Sequence, residues 1–186
     1  QLYDAHLEVL DSEKLKQLQN QKFLNQLSYT LSNSFFYQKK FKDANLSPDN
    51  IRSIDDLSRI PFTEKQELRE ALLEKSAMLG SNQTAQNIDI VRVHASSGTT
   101  GKPTYVGLTR KDTELWDNSI ARSFWTAGIR PTDVVAHCWN YSMFVGGLAN
   151  HMGCERTGAT MIPVGVGQSV RLVRMIEDLG ITAINA

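Results

Sequence analysis

The sequence has little that could staple a chain covalently and no stretch built to cross a membrane. Two cysteines, Cys138 and Cys154, in 186 residues are too few for a disulfide framework. His151 and Cys154 can share a helix face and His137 lies nearby, but without a Cys-x-x-Cys pair nothing anchors a structural zinc site, so no metal ligand is assigned. A surplus of one charge sign is also missing: 20 Lys and Arg balance 20 Asp and Glu, which argues against a nucleic-acid partner. No apolar run approaches the ~20 residues that span a bilayer. The opening QLYDAHLEVLDSEK lacks the basic-then-apolar layout of a leader, so a cytoplasmic protein with no membrane partner is expected.

What remains is the composition of an ordinary globular chain, 41% apolar and 22% charged. Leu15, Leu18, Leu24, Leu27, Leu31 and Phe35 recur at helical spacing, predicting helices over 12–42 with one break. Pro48, Pro61 and their Asp and Ser neighbours read as connectors. Thr63 with Gln66 fits a capping box that starts a third helix, and Thr109 with Asp112 fits another. From Val91 onward strand-like and helix-like runs alternate: VRV, YVGLT, the 110–127 helix, DVVAH, FVGGLANHMGCERTGA, TMIPV, 170–179 and ITAIN. Such alternation predicts an α/β fold: an N-terminal helical segment (1–89), then a largely parallel sheet flanked by helices (90–186). Trp116, Phe124 and Trp125 are expected in the core.

The chemistry concentrates in HASSGTTGKPT, between two predicted strands. Gly98 and Gly101 permit conformations that turn several N–H groups into one concavity, Ser96, Ser97, Thr99 and Thr100 add hydroxyls, and Lys102 adds a cation. That combination suits a polyphosphate, although the same composition also serves a hairpin that binds nothing. It is not a Walker A loop, because Ser96 stands where the first glycine belongs and Pro103 follows the lysine. Nor is it a Gly-x-Gly-x-x-Gly dinucleotide fingerprint.

SSGTTGKPT resembles the phosphate loop of the adenylate-forming superfamily. Two flanking stretches, the lead-in from SFFYQKKF to RIPFTEKQELRE and YSMFVGGLANHMGCERTGATMIPVG, resemble one branch of it, the phenylacetate–CoA ligase family. The likeness runs from about residue 15 to the end. It implies that Ser96, Ser97, Gly98, Thr99, Thr100, Gly101 and Lys102 hold the β- and γ-phosphates of ATP while a carboxylate attacks the α-phosphorus. It implies further that Tyr141, Phe144, Gly146 and Gly147 form part of the wall of a pocket for an aryl acid, with ATP, Mg2+ and CoA as cofactors. Core packing of the two aromatics, and close helix packing at the two glycines, are the alternative readings. His151 and Glu155, spaced i,i+4, resemble an acid–base pair but read better as a helix-surface hydrogen bond.

Family members also carry an aromatic–acidic segment for adenine and magnesium, an aspartate for ribose and a mobile C-terminal domain with a catalytic lysine; none has a counterpart up to Ala186. The expectation is therefore an N-terminal part of a ligase, inactive by itself and without a catalytic residue of its own. The loop leaves open transfer to a carrier-protein thiol in place of CoA, or a non-catalytic binding module of the same fold. Family members resemble dimers, so a homodimer is the expected assembly.

Overall fold

The computed structural model describes residues 2–74, 76–96, 98 and 102–186; Ser97, Thr99, Thr100 and Gly101 of the candidate phosphate loop lie outside the described residues. Two compact units form. One comprises Ala5–Val91 and Gly98–Gly107, the other Gln1–Asp4, Arg92–Ser97 and Leu108–Ala186.

The first unit is mostly helical. Helix α1 (Ser12–Asn33) starts where the Asp11 carboxylate accepts from the Lys14 N–H at 2.8 Å. The break predicted in this region falls at Ser34, whose extended backbone (φ −114°, ψ 113°) ends α1. Its hydroxyl caps α2 (Phe35–Asp43). Ser34 is fully buried, and its hydroxyl also donates to the Ser81 carbonyl at 3.2 Å. Helix α3 (Lys65–Leu73) corrects the sequence reading by one residue: Glu64, not Thr63, is the N-cap. The reason is Glu67, whose carboxylate accepts from the Glu64 N–H at 2.7 Å and pairs with Lys40 of α2. Phe41, Ile51 and Ala71 are the buried apolar residues of these helices and their connectors.

Strands β1 (Ile90–Ala95) and β2 (Tyr105–Thr109) pair as a two-stranded sheet, so the candidate loop is framed by strands as expected. The Thr109–Asp112 capping box is present and launches α4 (Arg110–Thr126). Gly128, at φ 106°, follows the helix end.

The second unit is built around a parallel sheet in the order β4-β3-β5: β3 (Val134–His137), β4 (Thr160–Pro163) and β5 (Ala183–Asn185). Helix α5 (Val145–Glu155) connects β3 to β4, and α6 (Ser169–Leu179) connects β4 to β5. The α/β expectation is met, with the parallel strands in one sheet and β1–β2 in a separate one. As the central strand, β3 is apolar almost throughout and nearly all buried, as strands covered on both faces are. Val135, Cys154 and Ala159 form the core, with Phe124, Ile129, Met161 and Ala183 against it. Of the aromatics expected inside, Phe124 reaches this core, while Trp125 lies half-buried between Tyr3 and the Arg130 guanidinium. Trp116 is half-buried against His94. Among the described residues no helix is long and apolar enough to cross a membrane.

Candidate functional site

Strand β1 runs directly into the candidate phosphate loop. Ala95, its last residue, is buried, Ser96 is half-buried, and Gly98 takes the left-handed conformation at φ 68°. That conformation is costly for any residue with a Cβ and turns the backbone sharply, as a cradle of N–H groups requires. Lys102, at the other end, is exposed.

A second segment, 138–144, leaves the carboxyl end of β3, the end where open α/β sheets place ligands. One atom ties the two segments together: the Met143 carbonyl accepts from the Ala95 N–H at 2.9 Å and from His94 Nδ1 at 3.1 Å. A carbonyl can only accept, so His94 carries its proton on Nδ1. The tie holds the aromatic segment beside the start of the candidate loop.

Along that segment, Tyr141 and Phe144 are exposed at 42% and 45%, leaving ring surface open to a ligand. The Tyr141 hydroxyl is 2.8 Å from His151 Nδ1, and His151 Nε2 is 3.0 Å from Glu155 Oε1. The i,i+4 helix-surface bond expected for His151 and Glu155 is therefore present, and Tyr141 extends it. Burial, reinforced by the negative charge of Glu155, pushes the Tyr141 phenol above its ordinary pKa, so it stays protonated. The His137 ring meets Tyr141 edge-on at 5.1 Å and His151 at 5.8 Å. Burial holds His137 below the usual histidine range, so it is neutral. Its Nδ1 accepts from the Asn185 amide at 3.0 Å, and the Asn185 carbonyl accepts from the Trp139 indole N–H at 3.1 Å.

The two glycines of α5 let the chain approach itself closely. A Cβ on Gly147 would lie 2.0 Å from the Asn140 carbonyl oxygen, and one on Gly146 would lie 3.0 Å from the Trp139 ring. Cys154 is fully buried, and its thiol is pushed up to about 11. His94, His137, Trp139 and Asn185 carry the site's internal bonding without having been assigned to it from the sequence. Their partners lie 46 to 49 residues away, beyond any local spacing.

No protein-family model matches the sequence. Among curated proteins, the chain is similar to the phenylacetate–coenzyme A ligase of Escherichia coli, 39% identical over 172 residues, which are 92% of this chain and 38% of that protein. It is similar also to that of Thermus thermophilus, 38% identical over 177 residues, 95% of this chain and again 38% of the relative. The chain thus spans a little over a third of the length of the curated relatives it matches. Among solved structures, 2-hydroxyisobutyryl-CoA ligase in complex with 2-HIB-AMP and CoA superposes with a TM-score of 0.85 at 30% identity, covering 94% of this chain and 37% of that one. The same ligase in its postadenylation state gives 0.84 at 28% identity over the same shares. With its α/β fold and its strand-framed glycine–hydroxyl loop, the chain is similar along nearly its full length to a little over a third of the length of the phenylacetate–CoA ligases.

Proposed function

We propose that the intact protein is an ATP-dependent acid–thiol ligase that activates an aryl acid of phenylacetate type as its adenylate and transfers the acyl group to CoA. The observation that carries this reading is the Met143 carbonyl, which holds the segment of Tyr141 and Phe144 against the strand that feeds the candidate phosphate loop. Adenylation brings a carboxylate and a nucleotide α-phosphorus together, and proximity is a large share of such catalysis.

In this reading Ser96 to Lys102 offset the charge of the departing pyrophosphate, an electrostatic task in which Lys102 supplies the mobile cation. The left-handed Gly98 and the exposed Lys102 suit that role. Tyr141 and Phe144 offer apolar ring surface to the acid, and Gly146 and Gly147 keep the backbone close behind it. Magnesium would arrive with the ATP phosphates. Among the described residues no group of three His, Cys, Asp or Glu side chains is arranged to hold a metal ion. CoA as acceptor is favoured over a carrier protein by the names of the relatives. Residues 1–89 serve as helical lead-in and 90–186 as the first α/β part of the enzyme's large domain; a homodimer in the cytoplasm completes the reading.

Acid-dependent exchange of labelled pyrophosphate into ATP tests it. The intact protein is expected to exchange with phenylacetate, and Lys102→Ala to lower kcat/KM for ATP about 100-fold. Absence of exchange with any aryl acid, or an unchanged Lys102→Ala variant, would overturn the assignment.

A further inference from the structure

The bond from Tyr141 to His151 to Glu155 has a direction that chemistry fixes. A carboxylate accepts and cannot donate, so in the neutral imidazole the proton sits on Nε2 and points at Glu155 Oε1, 3.0 Å away. His151 Nδ1 is then an acceptor, and the phenol of Tyr141, 2.8 Å away, must donate to it. The hydrogen of the hydroxyl is thereby committed. What the exposed side of Tyr141 presents outward is an oxygen with lone pairs and no hydrogen to give.

We infer that His151 and Glu155 are positioning residues that set the Tyr141 phenol as a hydrogen-bond acceptor toward the acid, so that the site selects acids carrying a hydroxyl donor over acids carrying an acceptor at the same place. The inference rests on the reading of Tyr141 as part of the acid pocket. Two features make the setting rigid. His151 keeps only 18% of its side chain exposed, and the neutral, fully buried His137 closes the space beside both rings at 5.1 and 5.8 Å. A site built to accept from a ligand hydroxyl discriminates strongly, because the wrong ligand leaves polar atoms unpaired.

The first test is nitrogen-detected NMR of the full chain at mildly alkaline pH. His151 is expected as the Nε2–H tautomer, and Glu155→Ala, a change at a half-exposed surface position, is expected to mix the tautomers. A wild-type ring protonated on Nδ1 would overturn the inference by itself. The second test compares hydroxyphenylacetates with the matching methoxyphenylacetates in the intact protein, the methoxy group accepting but not donating. At the ring position that faces Tyr141, the hydroxy-over-methoxy ratio of kcat/KM is expected to fall about tenfold in His151→Phe, mostly through KM. His151→Asn, whose amide oxygen can accept from the phenol, is expected to recover part of the loss. A ratio that does not change in His151→Phe, with exchange activity intact, would overturn the inference while leaving the ligase reading in place. Wild-type protein that activates no acid would overturn the ligase reading and the substrate half of this inference together, and the tautomer would then stand as a packing feature.

Discussion

In the helical unit, α1 buries none of its residues fully, and α2 and α3 bury one each, Phe41 and Ala71. Around β3, by contrast, Ala121, Val135, Ala136, Ala149 and Cys154 are all at or near zero exposure. The first unit carries polar devices at its helix ends, such as the Asp11 cap and the Ser34 cap, and the Lys40–Glu67 pair joins α2 to α3. The second is held by small side chains that let backbones touch: a Cβ on Gly153 of α5 would lie 2.3 Å from Ile120 Cγ2 of α4. Small residues in contact leave no slack, and interiors packed that way transmit any change in volume. The segment of Tyr141 and Phe144 therefore hangs from the stiffer of the two frames. In the proposed reading that segment is a pocket wall, which needs such stiffness more than a helical lead-in does.

The sharpest test of this contrast is Gly147→Ala. The added Cβ would stand 2.0 Å from the Asn140 oxygen and 3.2 Å from Tyr141 Cα, so backbone rather than a side chain must give way. A loss of about 3 kcal/mol is expected in urea denaturation, the upper range for overpacking. Gly146→Ala faces the Trp139 ring at 3.0 Å, and a side chain can shift, so its cost should be clearly smaller. Equal costs at the two positions would mean that this frame is not rigid.

A second test uses pH. Burial, with smaller contributions from Glu155 and Asp133, raises the Cys154 thiol from 9.0 to about 11. A group whose folded pKa is raised contributes stability that is complete below the unfolded value and lost as pH climbs through the folded one. The denaturant midpoint should therefore drop between pH 9.0 and about 11, by the equivalent of about 2 kcal/mol, and Cys154→Ala should remove that part of the drop. If the two profiles run parallel, the thiol is not held in a dry core.

The sequence disclosed most of the fold, because the signals that specify it are local. The Thr109–Asp112 box, the apolar run of β3 and the glycine after α4 each act within a few residues. The start of α3 differs from the sequence reading. Thr63-x-x-Gln66 fits the Ser/Thr-x-x-Glu/Gln template, while the residue that closes the helix start, Glu67, follows a Glu64 that the template does not include. The choice between the two starts came from Lys40, 27 residues from Glu67. The site divides the same way. Tyr141, Phe144, Gly146 and Gly147 lie in one short segment, so the sequence proposes them together as candidates. The atoms that fix this segment were not: His94 reaches Met143 across 49 residues and Asn185 reaches His137 across 48, distances over which spacing carries no information. His151 is the intermediate case, since Glu155 is a helical neighbour and Tyr141 is brought to it by the turn of the chain.

The smallest expected effect lies in the helical unit, and it measures how local its polar devices are. Lys40 donates to the Glu67 carboxylate, the Glu64 N–H donates to it as well, and together they hold Glu67 below the usual carboxylate range. A lowered carboxylate contributes stability that is present above its unfolded pKa and lost as pH falls through the folded one, so this contribution should fade in acid. Glu67 is 37% exposed, and water screens the pair, so Glu67→Ala should cost about 1 kcal/mol for cap and ion pair combined. Glu67→Gln separates the two parts: an amide oxygen can still accept from the Glu64 N–H, while the charge opposite Lys40 is gone. Its cost should be about half that of alanine, and its acid dependence should vanish. A Glu67→Ala loss as large as that of Gly147→Ala would reverse the comparison, because a single exposed carboxylate would then matter as much to one unit as a closed backbone contact does to the other.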